Sequence, residues 1–214
     1  MKLVYKSLYL AQPRLRFLKT ASGSKYLDFG CGSGLALAQN LLVRPDLDCY
    51  CLDVEDFSKD LPENAVFTIY KGKKLPYTDN SFDIITANHV LEHLPDPDFT
   101  ISEINRVLRP NGLVFFETPN KRSLWGEPGG KFAGTVHFHD DPTHITPFSK
   151  RDLIEVCQKH NLKIIRVGIS RNLLHLTLSP ILVFLGLLMP NKHYFMYARN
   201  SFIGWSSYII IEKQ

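Results

Sequence analysis

A glycine-rich stretch, LDFGCGSG at residues 27–34, is the part of the sequence best suited to hold a ligand. It contains an acidic residue followed by three alternating glycines: Asp28, Gly30, Gly32 and Gly34. Glycines let the backbone approach a ligand closely, and a helix that begins after them offers free amide groups. A dinucleotide fingerprint would need a glycine where Leu35 stands, and a P-loop would need a lysine, so neither phosphate-binding motif fits.

Histidines form a second chemically capable group. The segment HFHDDPTHITPFS at residues 137–149 contains His139 and His144. An imidazole with an ordinary pKa of ~6.5 can take a proton from a hydroxyl near neutral pH. A second pattern, HVLEH at residues 89–93, matches the H-x-x-E-H motif of inverted zinc peptidases. The first segment therefore suits proton transfer, and the second suits metal binding.

Alternating strands and helices must position these groups. Short runs rich in apolar and β-branched residues predict seven strands, at 25–29, 48–53, 65–70, 82–87, 112–117, 162–169 and 207–212. Helix-length segments with an apolar stripe lie at 34–43, 97–108 and 149–160. This order predicts an α/β fold with a doubly wound, mostly parallel sheet covered on both faces. Ligands of such sheets lie at the carboxyl ends of the strands, which is where the glycine stretch falls.

Composition and charge limit the class of protein. With 214 residues, 44% of them hydrophobic and 21% charged, the chain fits a single domain over 1–214 rather than a disordered or fibrous protein. The four cysteines show no disulfide-framework spacing, and charges interrupt every apolar run of the first 20 residues, so we expect a reducing, cytoplasmic location. Six Lys or Arg and no acid within 1–25 predict a basic N-terminal helical segment over 1–24.

The glycine stretch with its acidic residue resembles motif I of the class I S-adenosylmethionine-dependent methyltransferases. Leu52-Asp53 closes the second predicted strand, where that family places a carboxylate on the ribose hydroxyls. The run at 75–120 resembles the fourth-strand, helix and fifth-strand block of the small-molecule branch that includes the ubiquinone and menaquinone methyltransferases. The resemblance covers roughly residues 25–170 and implies a Rossmann-like methyltransferase fold with seven strands, the last of them antiparallel.

The resemblance also implies S-adenosylmethionine as cofactor and assigns roles to individual residues. The glycines of the loop would touch the cofactor with their backbone, and Asp53 would accept hydrogen bonds from both ribose hydroxyls. Asp28 would accept from the glycine-loop amides or from the cofactor's ammonium group. Asn88, directly after the fourth strand, would meet the methionine end. Lys71 departs from the family, because it stands where an aspartate commonly accepts from the adenine amino group, and a lysine cannot accept a hydrogen bond.

The same resemblance directs the histidine predictions. Enzymes of this branch close their substrate pocket with the segment after the fifth strand, so His144 is the first candidate base and His139 the second. The position of HVLEH after the fourth strand argues against a zinc peptidase. The equivalent helix of ubiquinone-type O-methyltransferases holds a divalent ion, which leaves His89, Glu92 and His93 as an alternative metal site. We expect instead a helix with one packed and one solvated histidine, and no metal site.

The predicted function is methyl transfer from S-adenosylmethionine to a small or lipid-linked acceptor, at oxygen. A non-catalytic binding protein with the cofactor fold is an alternative that Lys71 favours, and a divalent-metal-assisted O-methyltransferase is another. A dinucleotide oxidoreductase is disfavoured by Leu35. Nucleic acid is not expected as a partner, because the tetrapeptide typical of enzymes that methylate base amino groups is absent after the fourth strand.

An apolar insertion over 171–205 separates the last two predicted strands. Its stretch LLHLTLSPILVFLGLLMP at 173–190 carries no formal charge, but it is too short and too interrupted to span a bilayer, which needs ~20 apolar residues. Flanking bases at Arg171, Lys192 and Arg199 favour peripheral docking on the inner membrane face. A buried lid or a dimer contact remains the alternative, and the oligomeric state stays open.

Overall fold

A computed structural model describes residues 12–71, 74–128 and 134–214 and contains one seven-stranded sheet. The strands are β1 Lys25–Phe29, β2 Asp48–Asp53, β3 Val66–Ile69, β4 Phe82–Asn88, β5 Leu108–Pro119, β6 Leu162–Ser170 and β7 Ser206–Lys213. Their order is β3-β2-β1-β4-β5-β7-β6. The pairs among β1 to β5 are parallel, and β7 is antiparallel to both β5 and β6. The predicted fold class and all seven strands are confirmed.

Helices cover the sheet and fill the connection before its last strand. They are α1 Pro13–Thr20, α2 Leu35–Val43, α3 Pro97–Val107, α4 Lys150–Lys159, α5 Leu173–Thr177, α6 Ser179–Leu188 and α7 Tyr194–Ile203. Asp96 caps α3, its side chain accepting from the Phe99 amide, and Ser149 with Asp152 forms a capping box at α4. Of the basic segment predicted over 1–24, the part before residue 12 lies outside the described residues. No helix in the described ranges has the length and apolarity required to cross a bilayer.

The core has two layers because neighbouring strand residues face opposite sides of the sheet. On one side Leu27 and Phe29 join a cluster with residues of α3 and α4. On the other side Tyr26 packs with residues of α1 and α2. Burial on both faces explains why these strands are apolar along their length rather than alternating.

The region between α3 and β5 differs from the prediction. The sequence predicts a helix to 108 and a strand from 112, whereas the strand begins at Leu108. Phe82 pairs with Leu108 and Ile84 with Leu113, so the intervening residues form a bulge, and Asn111 adopts a φ of 61° within it. Asn111 and Gly112, residue types that favour turns, thus lie in a bulge inside the strand rather than before it.

The order of the strands reverses between β1 and β4, which places their carboxyl ends side by side. Phe29 at the end of β1 pairs with Leu52 on one side and with Ala87 on the other. The glycine stretch after β1, Asp53 at the end of β2 and Asn88 at the end of β4 therefore meet at one edge of the sheet.

Candidate functional site

The glycine loop after β1 has a backbone that favours glycine. Gly30, Gly32 and Gly34 have φ values of +71°, +48° and +75°, in the region that side chains rarely adopt. A Cβ at Gly30 would collide with Val90, and one at Gly34 would lie 2.6 Å from Leu61 Cδ2. The loop is also anchored to β2, because the Gly30 amide donates to the Leu52 carbonyl over 2.7 Å.

Asp53 holds the middle of this loop. Its Oδ2 accepts from the Gly32 amide over 2.8 Å, and its Oδ1 accepts from the Val54 amide over 2.7 Å. Gly30, Gly32 and Asp53 line a cavity of about 670 Å³, which we call the loop cavity. A volume in the range of about 300–1,000 Å³ is typical of small-molecule sites. Oδ1 also accepts from the Glu55 amide over 3.3 Å, whereas Oδ2 keeps a second lone pair with which the carboxylate can accept from a ligand in the cavity.

Asp28 is buried and lies behind the loop rather than on its surface. The Thr86 hydroxyl donates to its Oδ1 over 2.8 Å, whereas its Oδ2 has no partner among the described residues. Burial raises the pKa of the Asp28 carboxyl. The expected bonds to the loop amides are not formed, because the amide of Gly30 donates to a β2 carbonyl and that of Gly32 donates to Asp53. The bond to the cofactor's ammonium group stays a prediction.

Asn88 is the last residue of β4 and has buried, unpartnered polar atoms. Neither its Oδ1 nor its Nδ2 has a hydrogen-bond partner within the described part of the chain. It lines a smaller cavity of about 270 Å³ together with Arg14 and Glu117. Buried polar atoms without a partner are rare and indicate a missing ligand or solvent. Asn88 is thus placed to bind a polar group.

The segment HVLEH does not form the predicted helix. His89 continues the sheet through its amide, which donates to the Glu117 carbonyl over 2.7 Å, and then turns with a φ of 56°. Only Leu91–His93 forms a single 3₁₀ turn. The prediction was wrong because backbone pairing with β5 at Glu117 extends the sheet to His89, and this tertiary pairing overrides the local helix propensity.

His89 and Glu92 form an ion pair at the end of β4. His89 Nδ1 lies 3.3 Å from Glu92 Oε1, and the Thr118 hydroxyl donates to Glu92 Oε2 over 2.9 Å. Glu92 is fully buried. Although 43% of the His89 side chain is exposed, partial desolvation disfavours the charged imidazole, but the hydrogen bond and charge of Glu92 outweigh it and raise the pKa of His89. The same pairing lowers the pKa of Glu92 against the effect of its own burial.

A second large cavity, of about 400 Å³, lies beyond His89, and we call it the roofed cavity. His144 and Asp141 of segment 137–149 contribute one wall, and Tyr197 and Asn200 of α7 contribute another. His89, His93 and Asp141 line both the roofed cavity and the loop cavity. His89 also lines the smaller cavity beside Asn88. A group bound in one cavity can therefore face a group bound in the next across these three side chains.

His144 lies on the wall of the roofed cavity, and a hydrogen bond fixes which of its ring nitrogens carries the proton. Its Nδ1 lies 2.7 Å from the Phe138 carbonyl, which can only accept, so Nδ1 carries the proton and Nε2 keeps its lone pair. The side chain is 5% exposed. His139 is different, because it lies exposed on the turn Phe138–Asp140 and lines neither the loop cavity nor the roofed cavity. The structure thus brings His144, but not His139, to the wall.

The structure assembles one group with metal-ligand chemistry that the sequence did not reveal. Ligand atoms of Glu92, His93 and His144 all lie within 4.8 Å of one another. His93 Nδ1 contacts the Thr143 hydroxyl over 2.9 Å, and that hydroxyl donates to Asp141, so His93 keeps its Nε2 lone pair. The alternative metal site predicted from the sequence contains His89, whereas the structure places His144 beside Glu92 and His93. No local spacing could have indicated a residue so distant in the chain.

Lys71, which replaces the aspartate expected near adenine, lies beside the loop cavity. Lys71 is exposed and follows the end of β3, while the preceding Tyr70 lines the loop cavity. The loss of the family's adenine contact at Lys71 therefore stays a prediction.

Comparisons with known proteins agree with this geometry. The family described as "Methyltransferase domain" matches residues 5–167. A relative from Actinobacillus pleuropneumoniae serotype 5b named ubiquinone biosynthesis O-methyltransferase is 30% identical over 133 residues, which are 55% of this chain and 57% of the relative. A relative from Lactobacillus johnsonii named demethylmenaquinone methyltransferase is 36% identical over 108 residues, covering 45% of this chain and 44% of the relative. The match thus spans about half the length of these curated relatives.

A solved structure shows the same fold. The S-adenosylmethionine-dependent methyltransferase from Aquifex aeolicus superposes with a TM-score of 0.60, at 15% identity, over 94% of this chain and 88% of that chain. At this identity the likeness carries the fold alone. The family match, however, covers most of the sequence and confirms the resemblance seen in the glycine stretch. The chain belongs to the methyltransferase domain family.

Proposed function

We propose that this protein transfers the methyl group of S-adenosylmethionine to an oxygen atom of a small, lipid-linked acceptor. The observation that carries the proposal is the junction of two cavities at His89, His93 and Asp141. One cavity lies against the glycine loop, and the other lies beneath the helices between β6 and β7. A methyl donor in the first can face an acceptor in the second.

The cofactor would occupy the loop cavity with its ribose at Asp53. Both oxygens of Asp53 are held in place by backbone amides, and Oδ2, which accepts from one amide only, keeps a lone pair for a ribose hydroxyl. The methionine end would extend toward Asn88. The side-chain amide of Asn88 has no hydrogen-bond partner among the described residues and can bind the charged groups of the cofactor. Asp28 would contribute its unpartnered Oδ2 to the ammonium group.

The chain's own task in the reaction is to position the acceptor and to receive its proton. The sulfonium is already activated, so aligning acceptor oxygen, methyl carbon and sulfur accounts for most of the rate enhancement. The C–S bond breaks as the C–O bond forms, and the hydroxyl proton passes to Nε2 of His144. The products are the methyl ether, S-adenosylhomocysteine and a protonated imidazole, which then loses its proton to solvent.

The acceptor class rests on two supports. Two relatives are named for ubiquinone biosynthesis and for demethylmenaquinone, which are quinone-type molecules. The insertion that roofs the cavity exposes apolar side chains on its outside. The proposal therefore includes an acceptor with a lipid tail.

A second candidate function is metal-assisted O-methylation, favoured by the group of Glu92, His93 and His144. Ligands of one tetrahedral ion lie about 3–4 Å apart, so small side-chain movements would close this group around a divalent ion. Such an ion would polarise an acceptor hydroxyl. Zinc titration of the wild type and His93→Ala tests this candidate, with His139→Ala as control. Equal weak binding by all three proteins would eliminate it.

The proposed function is tested first by calorimetric titration with S-adenosylmethionine and S-adenosylhomocysteine. Turnover is then measured with a catechol that carries a farnesyl chain, and with its doubly methylated ether as the control that offers no hydroxyl. We expect binding of both cofactor forms and methylation of the catechol only. A folded protein that binds neither form would support the non-catalytic alternative. Binding without turnover of any hydroxylated lipid would contradict oxygen as the target.

A further inference from the structure

The helices α5, α6 and α7 between β6 and β7 have an inner side that belongs to the site. Met196, Tyr197, Asn200 and Ser201 of α7 and His175 of α5 line the roofed cavity. His175 and Tyr197 stack on each other with ring centroids 4.8 Å apart. These helices therefore form a roof over the cavity. This position resembles the lid that is one of the alternatives for the apolar insertion.

The contact between α6 and α7 determines which side of α6 faces away from the roofed cavity. Gly186 of α6 is buried, and a Cβ there would come within 2.8 Å of Phe195 in α7. Close contact at this glycine fixes the side of α6 that faces α7. The opposite side is apolar and exposed, and we call it the outer face; its large side chains are Ile181 at 58%, Phe184 at 61%, Leu187 at 58% and Leu188 at 63% exposure.

The outer face is large and continuous. At 100° per residue its four side chains fall within one third of the helix circumference. Contiguous exposed apolar surface of this kind is unusual on monomeric soluble proteins and marks a binding site. The ten-residue α6 is about 15 Å long, half the thickness of a hydrocarbon core of about 30 Å, so it can lie in a bilayer surface but cannot cross it.

Charge selects the partner of the outer face. Residues 171–205 contain no Asp or Glu but include Arg171, Lys192 and Arg199. Arg171 and Lys192 are exposed at the two ends of the α5–α6 segment. A second copy of the chain would place this patch against itself and bring like charges together. An anionic leaflet would attract the same bases while its acyl region received the apolar side chains.

We infer that the outer face of α6 docks on the surface of an anionic lipid bilayer. Docking itself is independent of the reaction. Only its purpose, which is to present the roofed cavity to an acceptor held in the membrane, rests on the proposed function. The helix would lie parallel to the surface, with Lys192 among the headgroups.

The test is co-sedimentation of the full chain with vesicles of phosphatidylcholine alone or mixed with phosphatidylglycerol, at low and high salt. We expect binding to the anionic vesicles that weakens with salt, because screening reduces the attraction of the bases. The double variant Ile181→Ser/Phe184→Ser should bind about tenfold or more weakly. The matched control Leu42→Ser/Phe99→Ser removes two exposed apolar side chains from other helices and should bind as the wild type does. Lys192→Gln should weaken binding to the anionic vesicles about fivefold.

Three results would overturn the inference. The first is wild-type protein that stays in the supernatant with anionic vesicles at low salt. The second is an equal loss of binding in the outer-face and control variants. The third is a dimer, detected by light scattering, that the outer-face variant dissociates in the absence of vesicle binding. Because vesicle binding requires no turnover, its failure is distinguishable from failure of the proposed reaction, which the catechol assay measures separately.

Discussion

The Gly32 amide donates a hydrogen bond to Asp53 Oδ2 over 2.8 Å, which links the glycine loop after β1 to the end of β2. The same carboxylate would accept the ribose hydroxyls of the cofactor. One side chain holds the loop and, in the proposed function, would also bind the ligand. Substitution of Asp53 must therefore be analysed for both effects.

Asp53→Ala should weaken S-adenosylmethionine binding by about 1–3 kcal/mol, because a charged acceptor of two hydroxyls is lost. Glu55→Ala is the matched control, since Glu55 lines the same cavity but is exposed. Titration calorimetry measures both affinities, and urea unfolding reports how much of the loss is due to the loop. Unchanged affinity in Asp53→Ala would remove this residue from the cofactor site.

Gly30→Ala and Gly32→Ala should differ although both glycines have positive φ. At Gly32 the added Cβ meets no atom within 4 Å, so only the left-handed backbone conformation opposes it, at about 1–2 kcal/mol. At Gly30 the Cβ also collides with Val90, which lines the loop cavity. We expect Gly30→Ala to reduce both the unfolding free energy and the cofactor affinity more strongly. Equal losses in the two variants would show that the space beside Val90 can adjust.

The sequence predicted the sheet and the glycine loop because both depend on local signals. Buried parallel strands need apolar runs, as in KYLDF and DCYCLD, and the loop needs glycine where φ is positive. Asp53 could be placed at the site because the end of a strand is also a local feature.

The group of Glu92, His93 and His144 could not be predicted, because tertiary hydrogen bonds create it. The amides of Ile145 and Thr146 donate to the Glu92 carbonyl over 2.7 and 3.2 Å, which holds segment 137–149 against the end of β4. Such pairing between segments about 50 residues apart leaves no periodic trace in the sequence. The left-handed turn at His89, which replaced the predicted helix, has the same origin, since pairing with β5 overrode local propensity.

Glu103→Gln should destabilise the fold in a pH-dependent manner. Arg106 donates two hydrogen bonds to the Glu103 carboxylate, and the Leu75 amide donates a third, which lowers the pKa of Glu103. Since the folded pKa lies below the unfolded one, the stabilisation is present above the unfolded pKa and is lost as pH falls through the folded value. We expect a loss of about 1–3 kcal/mol at neutral pH that shrinks toward zero in acid.

Urea unfolding at several pH values measures this effect, and Glu155→Gln is its control. Arg151 and Glu155 form an i,i+4 pair whose side chains are 86% and 58% exposed, so its loss should change stability by only about 0.3–0.5 kcal/mol. A Glu103→Gln effect of the same size, or one that persists below the unfolded pKa, would contradict the role given to the Arg106 pair.

His144→Ala should lower the rate of methyl transfer to the farnesyl catechol by about 10²-fold or more if His144 is the base. Its Nδ1 is committed to the Phe138 carbonyl, so only Nε2 can receive the proton, and the side chain lies on the wall of the roofed cavity. His139→Ala is the matched control, because His139 lies on the same segment but lines neither the loop cavity nor the roofed cavity. Cofactor affinity should be unchanged in both variants, since His144 does not line the loop cavity.

Full activity in His144→Ala would contradict its role as the base and leave positioning alone to account for the rate. Loss of activity in His139→Ala would mean that segment 137–149 moves onto the acceptor and that His139 is not a neutral control.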